Sequence, residues 1–431
     1  MADNAFSRIF RIPELRKRVF FTLGALIVFR IGASLPIPGI DPSALRAYFA
    51  TNSGGGGVLD YIDFFAGGAF KRFSIFMLGV MPYITMSIIM QLLTLMFPSL
   101  KAVAEAEGGR RKIQRYTRYG TVVVALIQSF VVTNYADSFK DVITLPSTQF
   151  IVLGILTVTT GTIFLMWLGE QINQKGIGNG ISLLIFAGIV ARLPQAFIQL
   201  FQQIQLKELN PVTALFVLVM FVAVIVMVIY EQQGQRKIPI QYAKRVVGRK
   251  IYGGQNSYIP MKLNPSGVIP VIFASSVLLF PIQILSALGV NVSWLQPGRF
   301  WYLFLYTLLI VFFAYFYTQI TLNPMELSKN IRDNGGSVPG VRAEKLEEYF
   351  TNILNRIVLP GSLFLAFIAI IPSLLQKFFN FPSALAYIMG GTSLLILVGV
   401  DLDTMSQIEG YLKMHHHDGL VRKGRIRSRN L

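Results

Sequence analysis

Cysteine is absent from this 431-residue chain. Disulfide scaffolds, thiolate metal sites and cysteine nucleophiles are therefore excluded. Histidine is nearly absent too, since all three stand together at His415, His416 and His417 in a polar tail. No histidine cage or histidine base can then form at membrane depth, and the triplet itself reads as an incidental run or a weak metal ligand. Charge is scarce as well. Charged residues make up 14% and apolar residues 53%, against about 25% charged in ordinary globular chains. So few charges cannot cover a soluble surface of this size. With a mean hydropathy of +0.56, the composition points to a polytopic membrane protein.

The apolar runs are themselves nearly free of ionisable groups. Ion-coupled carriers, proton pumps and membrane hydrolases need such groups at mid-depth. Arg30 lies in the outer half of its run and can snorkel. Glu170, Glu231 and Asp401 lie at the cytoplasmic ends. What remains inside is amides and hydroxyls, among them Gln91, Gln128, Gln319, Thr85, Ser87, Ser275 and Ser276. Such groups more often bridge helices than bind substrate. A small-solute secondary transporter, the alternative function, predicts a polar or charged midplane site. A membrane hydrolase needs an aspartate pair, a serine dyad or a metal cluster. No catalytic residue, metal or cofactor is expected. The glycine motifs carry no nucleotide chemistry either. Gly176-Ile177-Gly178-Asn179-Gly180 follows no strand, and Gly108-Gly109-Arg110-Arg111-Lys112 lacks the Lys-Ser/Thr ending of a phosphate loop.

A span takes about 20 apolar residues at 1.5 Å rise. Candidates fall at 19–37, 73–97, 119–136, 150–169, 181–201, 211–230, 266–288, 300–322, 353–375 and 383–402. The fold class expected is therefore all-α, with ten transmembrane helices. The first run lies behind Arg8, Arg11, Arg16, Lys17 and Arg18 and is too long for a signal h-region, so it reads as a retained span. With both termini in the cytoplasm, the outer loops hold Arg46, Lys71, Arg72, Lys140, Arg192, Lys207, Arg299 and Lys377. Arg30 sits in a span, and all the rest of the 39 Lys and Arg are cytoplasmic. That asymmetry supports the orientation. The parts are a cytoplasmic N-terminus (1–18), an N-terminal half (19–201), an outer hinge (202–210), a C-terminal half (211–402) and a basic tail (403–431). Ten spans divide as five plus five, in opposite orientations, although no residue-level repeat is visible.

Two long cytoplasmic loops interrupt the second half. In 231–265, Ile and Tyr residues around Gly253-Gly254 predict a β-hairpin. The loop 323–352 carries Gly335-Gly336-Ser337-Val338-Pro339-Gly340. Each loop either docks a partner or only orients its helices. The tail Arg422-Lys423-Gly424-Arg425-Ile426-Arg427-Ser428-Arg429 suits anionic lipid or RNA phosphate, or serves only to set topology. On the outer side, Gly54 to Gly57 precede the apolar stretch 58–70. Thirteen residues of helix span roughly 20 Å, too short to cross. This stretch either folds back into the protein or lies flat on the outer leaflet.

Several long stretches together resemble the SecY family of protein-conducting channels. They are Phe73-Ser74-Ile75-Phe76-Met77-Leu78-Gly79-Val80-Met81-Pro82-Tyr83-Ile84, Met166-Trp167-Leu168-Gly169-Glu170-Gln171-Ile172, Gly176 to Ser182, Gly267-Val268-Ile269-Pro270-Val271-Ile272-Phe273-Ala274 and Gly390-Gly391-Thr392-Ser393-Leu394-Leu395-Ile396. The resemblance runs end to end, in family order. It implies two pseudo-symmetric five-helix halves around an hourglass pore with a lateral gate. The pore ring would be Val80, Ile84, Ile181, Ile185, Ile272 and Ile396, with Val80 standing where isoleucine is frequent. A plug would be built from Val58, Leu59, Tyr61, Ile62, Phe64, Phe65, Gly67 and Gly68. The lateral gate would be lined by Thr85, Gln91, Ser276 and Phe280. Arg236, Lys237 and Arg342 would dock cytoplasmic partners, although Ala343-Glu344 replaces a frequent Pro-Gly. Implied partners are SecE and SecG, the SecA motor ATPase, the ribosome with its RNA, signal sequences and translocating polypeptides, and anionic lipids. The implied location is the bacterial inner membrane, and the implied activity is polypeptide translocation without catalysis.

Overall fold

The computed structural model describes residues 12–51, 63, 66–137, 139, 142–207, 209–242, 245–247, 250–252, 256–287, 293–296, 298–379, 385–386 and 390–423. Among these the chain is almost entirely helical and divides into two compact units.

The first unit is Met1–Gln195 with Ile396–Leu431. It contains α1 (Pro13–Gly32), α2 (Pro42–Thr51), α3 (Met81–Met96), α4 (Pro98–Glu105), α5 (Gly109–Asp137), α6 (Ser147–Lys175) and α7 (Gly180–Val190). Between α2 and α3, residues 66–80 run as successive turns rather than helix. Two aromatic groups pin this segment. Phe76 stacks on Phe29 of α1 at 6.2 Å and on Phe164 of α6 at 5.8 Å. Phe70 and Phe73 are fully buried and meet Tyr135 and Phe139 at 6.4 Å and 5.9 Å. Gly32 leaves the space for the Phe76 ring, into which any Cβ would run. The Ile37 N–H donates to the Phe73 carbonyl (2.8 Å) and that of Ile75 to the Leu35 carbonyl (2.9 Å), so the segment is stitched as well as packed.

The second unit is Ala196–Leu395. After α8 (Leu193–Gln205) come α9 (Pro211–Gln233), β1 (Gln235–Tyr242), β2 (Arg245–Val247), β3 (Lys250–Tyr252), β4 (Asn256–Lys262), α10 (Ile269–Ala287), α11 (Phe300–Thr321), α12 (Pro324–Asp333), β5 (Gly336–Ser337) and α13 (Leu346–Phe379). The final helix, α14 (Gly391–Lys423), enters the first unit at Ile396. Helix starts follow ordinary capping chemistry. Asn210 accepts from the Val212 N–H before Pro211, and Asn323 from the Met325 N–H before Pro324. The hairpin expected in 231–265 is present. β1 pairs antiparallel with β4, Ile238 opposite Ile259, and β5 adds to the other edge of β1. Alternation puts Ile238 and Ile240 inward, where they pack with Met261, Val338, Leu346 and Phe350 into a small apolar core. The loops are thus a folded platform.

Six helices are long and apolar enough to cross a membrane among the described residues, and a bent pair makes a possible seventh. This is a multi-pass membrane protein. Ten spans are expected from the sequence, and the shortfall has local causes. α1 opens on Glu14, Arg16, Lys17 and Arg18. The run 73–97 is helical only from Met81. α14 stays apolar only to Val400, after which Asp401 and Asp403 follow. The bent pair is α3 with α4, turned by 104°. Its cause is Pro98, which drives Phe97 into extended backbone (φ −107°, ψ 112°).

Candidate functional site

The aliphatic residues singled out from the sequence are positioned by helix starts. Gly79 takes a positive φ of 56° and turns the chain into α3. Val80 caps that helix, and its carbonyl accepts from the Ile84 N–H at 3.1 Å. The two side chains thus stand one turn apart, both buried. At α7, Asn179 is the cap, accepting from the N–H groups of Ile181 (3.2 Å) and Ser182 (3.4 Å). Gly180 fits only because it lacks a Cβ, which would strike the Gly169 carbonyl. Ile181, half-buried, lays its Cδ1 over Gly169, and Ile185 is buried one turn on. In the second unit, Ile272 on α10 is buried, and its carbonyl accepts from both Ser275 (2.7 Å) and Ser276 (2.8 Å). Ile396 is fully buried on α14.

The polar residues expected at a lateral gate are bonded mainly within their own helices. Thr85 donates to the Met81 carbonyl at 3.0 Å and Gln91 to the Ser87 hydroxyl at 3.4 Å. The side chain of Phe280 is outside the description, as are Val58, Leu59, Tyr61, Ile62, Phe64 and Phe65. Gly67 and Gly68 are described, and both take positive φ, 67° and 84°. Arg236 and Lys237 lie exposed on β1, the Lys237 ammonium 4.8 Å from the centre of the Tyr258 ring. Arg342, also exposed, opens a short turn of 3-10 helix before α13.

Other polar contacts were not legible in the sequence. Asp63 is buried beside Arg192, Nη2 to Oδ2 2.9 Å. Arg118 of α5 donates to Glu170 of α6 at 2.7 Å. The loop 176–180 is held by backbone contacts on three sides. Arg18 donates to the Gly176 carbonyl (3.2 Å), and the Ile177 N–H donates to Thr22 (3.0 Å). The Gly180 N–H donates to Asn173 (2.8 Å), and the Gly178 N–H to Gln407 (2.9 Å). Two acidic residues inside an apolar stretch, Asp60 and Asp63, were the only available hint, and nothing in the sequence marked Asp63 as the one that pairs.

Among the described residues no cluster of His, Asp and Glu could hold a metal. The features present are buried aliphatic side chains at helix starts and a basic, folded platform. The SecY family model matches residues 74–405. The chain belongs to the SecY family. It is 47% identical over 417 residues to the protein translocase subunit SecY of Borreliella burgdorferi, covering 95% of each chain. To the subunit of the same name from Thermotoga maritima it is 44% identical over 436 residues, covering 99% of each. Solved structures share the SecY fold at lower identity. A protein conducting channel matches with TM-score 0.64 at 16% identity, over 91% of each chain. A structure concerned with the SecY plug domain and the closed state matches at 0.62, with 17% identity over 91% of each. The channel of a canine ribosome–channel complex from the endoplasmic reticulum matches at 0.61, with 15% identity over 91% of each.

Proposed function

We propose that this chain is the channel subunit of a bacterial protein translocase, moving unfolded secretory polypeptides across the inner membrane and releasing apolar segments sideways into lipid. One observation carries this reading: near-full-length similarity to translocase subunits, at 47% identity to one of them. The protein supplies a conduit and no catalysis.

Val80, Ile84, Ile181, Ile185, Ile272 and Ile396 act in this reading as one apolar collar. The burial of five of them, the half-burial of Ile181 and the lack of charge support it. A narrow greasy ring disfavours water and ions by dewetting. A passing chain displaces flexible aliphatic side chains, which then close around it, so passage needs no sequence-specific pocket. Residues 58–70 seal the outer funnel as a plug. Thr85, Gln91, Ser276 and Phe280 flank the slot that admits a signal sequence.

The architecture proposed is ten spans in two five-helix halves, 19–201 and 211–402, joined by the hinge 202–210, with both termini in the cytoplasm. Basic residues concentrated on one side support that orientation. The platform bearing Arg236, Lys237 and Arg342 docks the ribosome, including its RNA, and the SecA motor. Exposed basic side chains suit both surfaces. SecE and SecG complete the membrane complex, and anionic lipids meet the basic tail 403–431.

A photo-crosslinker placed at Ile84, Ile181 and Ile396, with a secreted chain stalled in transit, tests the assignment. Adducts are expected at all three. Absence of any adduct would remove the pore.

A further inference from the structure

Ile181 rests on a gap in α6. Gly169 has no side chain, and a Cβ built there would lie 2.6 Å from the Ile181 Cδ1. The next atoms are farther, Cγ1 at 3.4 Å and the backbone nitrogen at 3.5 Å, which is ordinary contact. Only the tip of the isoleucine therefore occupies the space that a side chain at 169 would take. The backbones on either side are fixed. Glu170, next along α6, is buried and accepts from Arg118 of α5 at 2.7 Å. Gly161 of the same helix lies against the Ile75 carbonyl. On the α7 side, the Gly180 N–H donates to the Asn173 Oδ1 of α6 at 2.8 Å, and Gly180 packs on the Gly169 carbonyl too closely to admit a Cβ. α6 and α7 cannot shift here without losing these contacts, so the part of the junction free to yield is the Ile181 side chain. Ile181 is half-buried, with its covered side toward Gly169.

We propose that Gly169 is a positioning residue that sets how far Ile181 projects, and with it the width of polypeptide that this channel passes. The inference rests on reading Ile181 as part of the apolar collar. A side chain at 169 pushes the Ile181 tip off α6 and towards its open face, which in that reading is the conduit. The collar then narrows at one point while its surface stays aliphatic. An extended chain still threads it, because its side chains pass a flexible ring one at a time. A segment of fixed bulk must push the tip back against α6, and side chains pressed against packed neighbours resist such displacement. Gly169 touches no client and acts only through Ile181.

The test uses the full translocase and one export client with two cysteines, either free or closed beforehand into a small disulfide loop. This chain has no cysteine and takes no part in that chemistry. Gly169→Ala is expected to slow the looped client about fivefold and the open client less than about twofold. Ile181→Val removes Cδ1, so Gly169→Ala/Ile181→Val is expected to pass the looped client as fast as Ile181→Val alone. The unfolding midpoint of Gly169→Ala is expected to be no lower than the parent's, since alanine favours helix over glycine. That of Gly180→Ala is expected to fall, because its Cβ meets backbone. A parent-like rate for the looped client in Gly169→Ala overturns the proposal. So does equal slowing of both client forms that Ile181→Val fails to relieve, and so does a midpoint for Gly169→Ala well below the parent's, which places the collision in backbone and not in the Ile181 tip. Each of these leaves the channel reading intact. If the unaltered translocase moves neither client form, the channel reading falls, and this proposal with it.

Discussion

Gln407 and Gly178 are separated by 229 residues in sequence and joined by one hydrogen bond, from the Gly178 N–H to the Gln407 Oε1 at 2.9 Å. Arg18 adds to the same junction, its guanidinium 5.2 Å from the centre of the Tyr411 ring while it donates to the Gly176 carbonyl. The glycine-rich loop is therefore where α1, α6 and α14 are fastened together within the first unit. Gly178 itself needs a positive φ of 86° and has Thr404 and Leu183 against it.

Gln407→Leu is expected to lower the stability of the purified protein by about 1 kcal/mol, the net worth of one such bond. Gln407→Glu keeps an acceptor and is expected to lie nearer the parent. Unfolding midpoints in detergent, together with proteolysis of the loop 176–180, check both.

Helix packing around the turn segment predicts a contrast between two glycines. A Cβ on Gly161 of α6 would collide with the Ile75 carbonyl, whereas one on Gly24 of α1 meets nothing within 4 Å. Gly161→Ala is expected to destabilise by about 3 kcal/mol through overpacking. Gly24→Ala is expected to be neutral or to stabilise by about 0.5 kcal/mol. Thermal unfolding of the two variants side by side decides the point, and equal midpoints would contradict the packing described.

The start of α2 is expected to depend on pH. Asp41 Oδ1 accepts from the Ser43 N–H (2.8 Å) and hydroxyl (2.6 Å), and these bonds hold its carboxyl below the usual carboxylate range. A depressed folded-state pKa gives stabilisation that is full above the unfolded value of about 4 and is lost as pH falls through the lowered value. Amide exchange at Ser43 and Leu45 should therefore accelerate in acid. In Asp41→Ala the acid response should vanish.

Ile396 is completely buried at the point where α14 joins the first unit. Ile396→Asn places an amide among aliphatic groups, at a cost of about 2 kcal/mol when it finds no partner. The collar reading predicts greater ion leak and export of clients with defective signals. Single-channel conductance and a signal-defective reporter measure the two effects, and wild-type values in both would exclude Ile396 from the seal.

Composition alone determined that this is a membrane protein without cysteine or histidine chemistry, because scarcity of charge is a property of the whole chain. Long motifs determined the family, and the Ile and Tyr residues around Gly253-Gly254 foretold the hairpin, because strand preference and turn chemistry are local properties of the chain. What lay beyond reach was whatever depends on distant segments meeting. Hydropathy marked 73–97 as one span, yet residues 73–80 turn, because Phe70, Phe73 and Phe76 are held by Phe29, Tyr135 and Phe164 from three helices and by Phe139 just beyond α5. Arg192 looked like one more outer-loop charge. Only the tertiary fold brought Asp63 to it and buried the carboxylate, since the favourable pairing of two charges is decided by proximity and solvent exclusion, and neither is written in a residue's neighbours along the chain.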